Sequence, residues 1–346
     1  MSEGFKNHSY QAIERPFNTR ILTPLVAAWL PGDTTDGFTA ITFASFLVFM
    51  IAWYFISKEL GFPIHVFGFL VAWFLIHPLG VQIYYSLRQL IDPMSYALMA
   101  IAIYFYLSSR HALFFVTMFI SLLAKESFLF VLMVAVATEI YSSLRGHQEP
   151  KSAYRFTAYA ILIYVSYQVA IYFCQQAFFP AADQTNIIST IRLWWRKVRH
   201  DPNRLIVWAG SFFCATGTLA ALVFQKKPSP VSAIEFRQSF FLKLGACGFV
   251  ALGLIGGSDM SRIIFNGIVF IFPALILQVN HSSKNHLTSL VYASSLLIAT
   301  IYPLFFKTTF EYTYYFSNQI GSSLVFVLIV GFSILMIRRT TQSTLN

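Results

Sequence analysis

The chain has 346 residues, of which 57% are hydrophobic, 18% aromatic and only 11% charged, with a mean hydropathy of +0.63. That composition excludes an ordinary soluble globule, in which roughly a quarter of the residues are charged. The formal net charge of +10 is distributed over short segments between apolar runs, so it reads as a determinant of membrane topology and not as a nucleic-acid patch.

The apolar runs are continuous, without the ten-residue alternation of barrel strands, and they predict an all-α, polytopic transmembrane helical bundle with short interfacial helices. Eleven spans are expected, at 38–57, 63–87, 93–107, 111–124, 126–144, 155–178, 204–224, 239–256, 262–280, 288–306 and 320–337. They leave little chain for a separate soluble domain. The expectation is a single integral-membrane domain over 1–346: an interfacial segment and first outer loop over 1–37, a helical bundle over 38–337 and a cytoplasmic tail over 338–346.

The first 19 residues are polar and lack an apolar core, which predicts no cleavable signal peptide. From Arg20 to Leu30 the chain is too short to span a bilayer; either it begins late or this piece lies flat at the interface. Asp33 and Asp36 then precede the first span, where they read either as capping groups or as site residues. His77 precedes Pro78 inside the second expected span and reads as a partner of a backbone carbonyl freed by the proline, or as a site residue.

Between Ala112 and Leu144 one apolar run is interrupted by Lys125 and Glu126. A continuous helix of that length would reach roughly 50 Å against a hydrocarbon core of about 30 Å, and would bury two charges. Two helices meeting at Ala124-Lys125-Glu126-Ser127 are therefore expected, with the charged pair held in protein where the chain turns at one membrane face. Further on, Arg192, Trp194, Trp195, Arg196, Lys197 and Arg199 form a basic, Trp-bearing stretch that suits an interfacial helix gripping a lipid phosphate, or merely anchoring on anionic headgroups.

Orientation follows from Lys and Arg in short loops. With the tail Arg338-Arg339 inside, Lys58, Arg110, Arg145, Lys151, Arg155, Lys226, Lys227, Arg237, Lys243 and Lys284 also fall inside. The outer face receives Asp33 and Asp36, Arg88 and Asp92, Lys125 and Glu126, and the segment Gly257-Ser258-Asp259-Met260-Ser261-Arg262. Cys174, Cys214 and Cys247 show no metal-ligand spacing. The common soluble-enzyme motifs for phosphate, zinc or serine chemistry are absent.

This arrangement resembles the bacterial multi-spanning glycosyltransferases of the C-type superfamily, which use polyprenyl-phosphate-linked sugars at the outer membrane face. The resemblance is carried by Arg15-Pro16-Phe17-Asn18-Thr19-Arg20-Ile21-Leu22-Thr23-Pro24 leading to Asp33 and Asp36, by Asp92-Pro93, by the break at Ala124-Lys125-Glu126-Ser127, and by Gly257 to Arg262 before a helix with Pro273. It implies an inverting hexosyl or pentosyl transfer, a polyprenyl-phosphate sugar as donor, a lipid or saccharide as acceptor, and the bacterial inner membrane as location. No cofactor and no nucleic-acid partner are implied; a divalent metal is left open.

Such a transfer needs a carboxylate to take a proton from the acceptor hydroxyl and cations to stabilise the departing phosphate. Asp36 or Asp33 is the candidate base, lying where the family places its acid. Arg20, Arg88, Lys125 and Arg262 are candidate phosphate partners; Asp92, Glu126, Asp259 and His77 are candidate substrate-binding residues; Arg192, Arg196, Lys197 and Arg199 are candidate lipid-phosphate contacts. A transporter or flippase of lipid-linked saccharide, a saccharide polymerase or ligase, and a non-catalytic membrane assembly protein remain alternatives.

Overall fold

The computed structural model describes residues 21–77, 80, 92–178, isolated positions from 192 to 212, 232–255 and 260–280. Among these residues all regular structure is helical. The named helices are α1 (Leu22–Trp29), α2 (Thr34–Glu59), α3 (Ile64–Ile76), α4 (Asp92–Leu107), α5 (His111–Ala124), α6 (Phe128–Leu144), α7 (Pro150–Phe178), α8 (Ala233–Ile255), α9 (Met260–Asn266) and α10 (Ile268–Asn280).

Local chemistry sets most of these boundaries. Asp33, in extended conformation, accepts from the Asp36 backbone N–H at 2.8 Å and so caps α2. Gly61, with φ +68, closes the far end of that helix. Pro150 opens α7, where a missing N–H costs nothing. Within the second expected span, 63–87, α3 ends at Ile76, because the residue before a proline is pushed out of the helical region and His77 has ψ 126; apart from Gly80, residues 78–87 lie outside the described residues. The span expected over 262–280 is divided into α9 and α10 at Gly267. All of 288–306 and 320–337 and most of 204–224 lie outside the described residues.

Two helices, Thr34–Glu59 and Pro150–Cys174, are long and apolar enough to cross a membrane. Shorter apolar helices occupy Ile64–Ile76, His111–Ala124 and Phe128–Leu144. Both long helices turn large apolar side chains outward: Phe43, Leu47 and Ile51 on α2, and Ile161, Leu162, Val165 and Phe173 on α7.

The chain divides into two compact units. The first holds α1, α2, α4 to α7 and the opening of α8 through Phe241. Its α2 packs along α4, with Phe49 against Tyr96 at 6.0 Å and Phe55 against Tyr104 at 5.4 Å between ring centroids. Short α1 is seated on the start of α2, where Ala27, Phe38 and Ile41 form a buried cluster joined by Met94 of α4. Gly37 is required there, since a Cβ on it would lie 2.4 Å from the carbonyl oxygen of Ala27.

The second unit holds α3, the remainder of α8, α9 and α10. Its core is aromatic, with Trp73 against Phe272 at 4.0 Å and against Phe265 at 5.9 Å. Gly245 and Gly267 let α8 and α10 approach closely. A Cβ on Gly245 would overlap the Phe270 ring, and one on Gly267 would meet Phe249 at 2.3 Å. Small residues at such crossings are the usual means of bringing apolar helices into van der Waals contact.

Candidate functional site

Asp33, Asp36, Asp92, Lys125 and Glu126, five of the acid–base residues expected at the outer face, lie in the first unit, where Asp36 and Asp92 open two neighbouring helices. Phe38, two residues past Asp36, and Met94, two past Asp92, belong to the same buried cluster, so the starts of α2 and α4 lie side by side. Thr23 Oγ1 of α1 donates to Met94 Sδ at 3.3 Å and ties the short helix to the same end. Asp92, 3% exposed, accepts from Lys125 Nζ at 2.5 Å.

The helix break produces that contact. Lys125 is extended (φ −159, ψ 128), its N–H bonds the Ser121 carbonyl to close α5, and its side chain is released towards α4. The cation therefore meets a carboxylate 33 residues earlier in the chain. A paired, hydrogen-bonded charge of this kind avoids the desolvation cost that a lone one would carry in apolar surroundings. Glu126 is half-buried beside it and its carbonyl accepts from Leu129 N–H as α6 begins.

The two candidate bases differ in availability. Asp33 is committed to capping, whereas the Asp36 carboxylate is exposed over the tight turn at Gly32, whose φ is +94; a Cβ there would lie 2.9 Å from Asp36 Oδ2. Asp36 also sits in the first turn of α2.

The other expected residues belong to the second unit or lie outside the described residues. His77 belongs to the second unit and is fully buried between Trp73 at 4.5 Å and Phe265 at 4.8 Å. Arg192, Arg196 and Arg199 are helical and exposed. Arg262 lies in α9, and only its backbone is described. Arg20, Arg88, Lys197 and Asp259 lie outside the described residues. Among the described residues no group of three or more His, Cys, Asp and Glu side chains is placed to hold a metal ion.

A second charged cluster, not singled out from the sequence, occupies the other end of α4. Glu139, inside apolar α6 and 1% exposed, accepts from Tyr106 Oη at 2.7 Å. Arg237 of α8 brings its guanidinium to 3.8 Å from the same carboxylate, lies over the Tyr106 ring at 5.7 Å and donates to Ser109 Oγ. Phe114, Phe156 and Phe241 enclose the phenol. The available signal was a lone acid in an apolar helix, which in a membrane protein marks a buried partner.

No family model, no curated protein and no solved structure is similar enough to this chain to lend it a family.

Proposed function

We propose that this chain is a polytopic membrane glycosyltransferase that moves a sugar from a polyprenyl-phosphate donor to a lipid or saccharide acceptor at the extracytoplasmic face. The membrane part rests on composition and on the apolar faces that α2 and α7 turn outward, which suit acyl chains and would be costly in water. On this reading the shorter apolar helices are further elements of an eleven-span bundle.

The observation that carries the catalytic part is the exposed Asp36 carboxylate at the same end of the first unit as the buried Asp92–Lys125 pair. Asp36 is assigned the acceptor proton. Asp92 holds Lys125 in place, so that the Lys125 charge acts through the field it sets at this end and not as a free phosphate ligand. Glu126, beside the pair, is assigned to sugar hydroxyls.

The test is transfer from polyprenyl-phosphate sugars to lipid acceptors in liposomes. Asp36→Asn should lower the rate by about 10² to 10⁴ while leaving donor binding nearly intact, because it removes only the basic carboxylate. Asp33→Asn should be mild, since an Asn still caps a helix. Transfer by both variants at the parental rate would remove this loop from the chemistry.

A transporter of lipid-linked saccharide is the second reading, and the Glu139–Tyr106–Arg237 cluster favours it: ionisable groups buried at both ends of one helix are what a substrate path uses. Movement of lipid-linked sugar across the bilayer by the parent protein without a new glycosidic bond would decide for it.

A further inference from the structure

Beyond Glu139 and Arg237, the same end of the first unit opens into a cavity of about 280 Å³ between the α6–α7 connection and the start of α8. That is close to the lower bound of small-ligand sites, at about 300 Å³. Its wall includes Ser142, His147, Gln148, Glu149, Ser152 and Arg237. Arg237 thus has two sides: one faces the buried Glu139 carboxylate, the other the cavity.

The polar groups of this wall are under-used by the protein. Arg237 Nε, Gln148 Nε2 and the Oγ of Ser142, a residue 1% exposed, are buried without a hydrogen-bond partner. A buried donor left unmade costs about 1–3 kcal/mol, more when charged, so an acceptor-rich occupant that these three groups turn to meet, from just behind the cavity wall, would relieve that cost. The first turns of α7 and α8, helices of 29 and 23 residues, also border the cavity through Ser152, Ala233 and Ile234. Each contributes the positive end of its dipole. Glu149 is the acid of the wall; it is exposed, and Arg237, His147 and the two helix starts stand against it.

We propose that this cavity binds a phosphate group, held by Arg237 with Ser142, Gln148 and the starts of α7 and α8, and supplied either by a lipid headgroup or by a soluble phosphate ester. The site lies at the opposite end of α4 from Asp36 and is independent of the sugar-transfer reading.

The experiment uses the full chain in dodecyl maltoside micelles, which carry no phosphate, at constant ionic strength. Thermal unfolding is followed with added inorganic phosphate, with glycerol 3-phosphate, and with phosphatidylglycerol against uncharged diacylglycerol. A raised midpoint with the soluble phosphates supports the site with a soluble source; a rise with phosphatidylglycerol alone supports it with a headgroup source. His147→Ala/Gln148→Ala alters the wall without touching the buried pair and should weaken the effect. Glu139→Gln/Arg237→Gln removes both charges together, leaves no lone buried acid, and should weaken binding at least about tenfold. The proposal is overturned if no phosphate source raises the midpoint of the parent, or if both double variants respond as the parent does.

Discussion

The two ends of α4 solve the same problem in different ways. At its start, Asp92 and Lys125 form a direct contact of 2.5 Å, with side chains 5% and 11% exposed. At its other end, about 21 Å away along the axis, Glu139 takes its short hydrogen bond from Tyr106 while Arg237 stands off at 3.8 Å. The first pair is made by a break in a helix, which frees a lysine to reach across. The second is made within intact helices, where an aromatic shell excludes water and the cation is shared with a cavity. A closed pair is suited to fixing geometry, and a shared cation to responding to a ligand.

The largest effect expected from this contrast is at the closed pair. Lys125→Met takes the cation from the buried Asp92 carboxylate and should cost about 3–5 kcal/mol in denaturant unfolding, whereas Asp92→Asn/Lys125→Met should recover most of the loss. A double variant as unstable as the single would mean that the lysine acts through packing. Next comes Glu139→Leu, expected at about 2–3 kcal/mol because Arg237 keeps Ser109 and an opening to the cavity while Tyr106 loses its acceptor. Equal losses at the two ends would erase the distinction between a closed and a shared pair.

A smaller effect separates two glycines. Gly37→Ala forces a Cβ against the Ala27 carbonyl where α1 meets α2 and should cost about 1–3 kcal/mol in the same unfolding measurement. Gly68→Ala in α3 meets open space and should be neutral or mildly stabilising, since alanine is the better helix former by about 1 kcal/mol. Smallest is Asp33→Asn, expected within a few tenths of a kcal/mol because an Asn keeps the cap to Asp36. A large loss there would show that the carboxylate charge itself organises the turn.

Sequence made one end of α4 legible and left the other hidden, and the reason is physical. Two adjacent charges in an apolar run demand a break, so the boundary at Ala124 and the exposure of Lys125 to a partner follow from solvation cost alone. Its partner Asp92 was recognisable as part of the same face, although not as the residue that Lys125 touches. Glu139 interrupts no helix, and its partner Arg237 is remote in sequence, read there as a loop charge setting orientation. The helix end at Ile76 and the division at Gly267 escaped a hydropathy reading for a related cause: the restriction on a residue before proline and a close helix crossing leave the apolar content unchanged. Asp33 and Asp36 illustrate the reverse case, since capping and catalysis draw on the same residue types and only the hydrogen bond to Asp36 N–H distinguishes their roles.

On the proposed glycosyltransferase topology the two ends of α4 face opposite sides of a membrane, Asp36 outward and the Arg237 cavity inward. That topology is tested by single cysteines at the exposed positions Thr35 and Ser152, in a variant lacking the three native cysteines, labelled in intact cells with an impermeant thiol reagent. Labelling is expected at Thr35 from outside, and at Ser152 only after the membrane is opened. Both positions reacting from the same side would contradict it, because α4 would then not carry its two charged clusters across the bilayer.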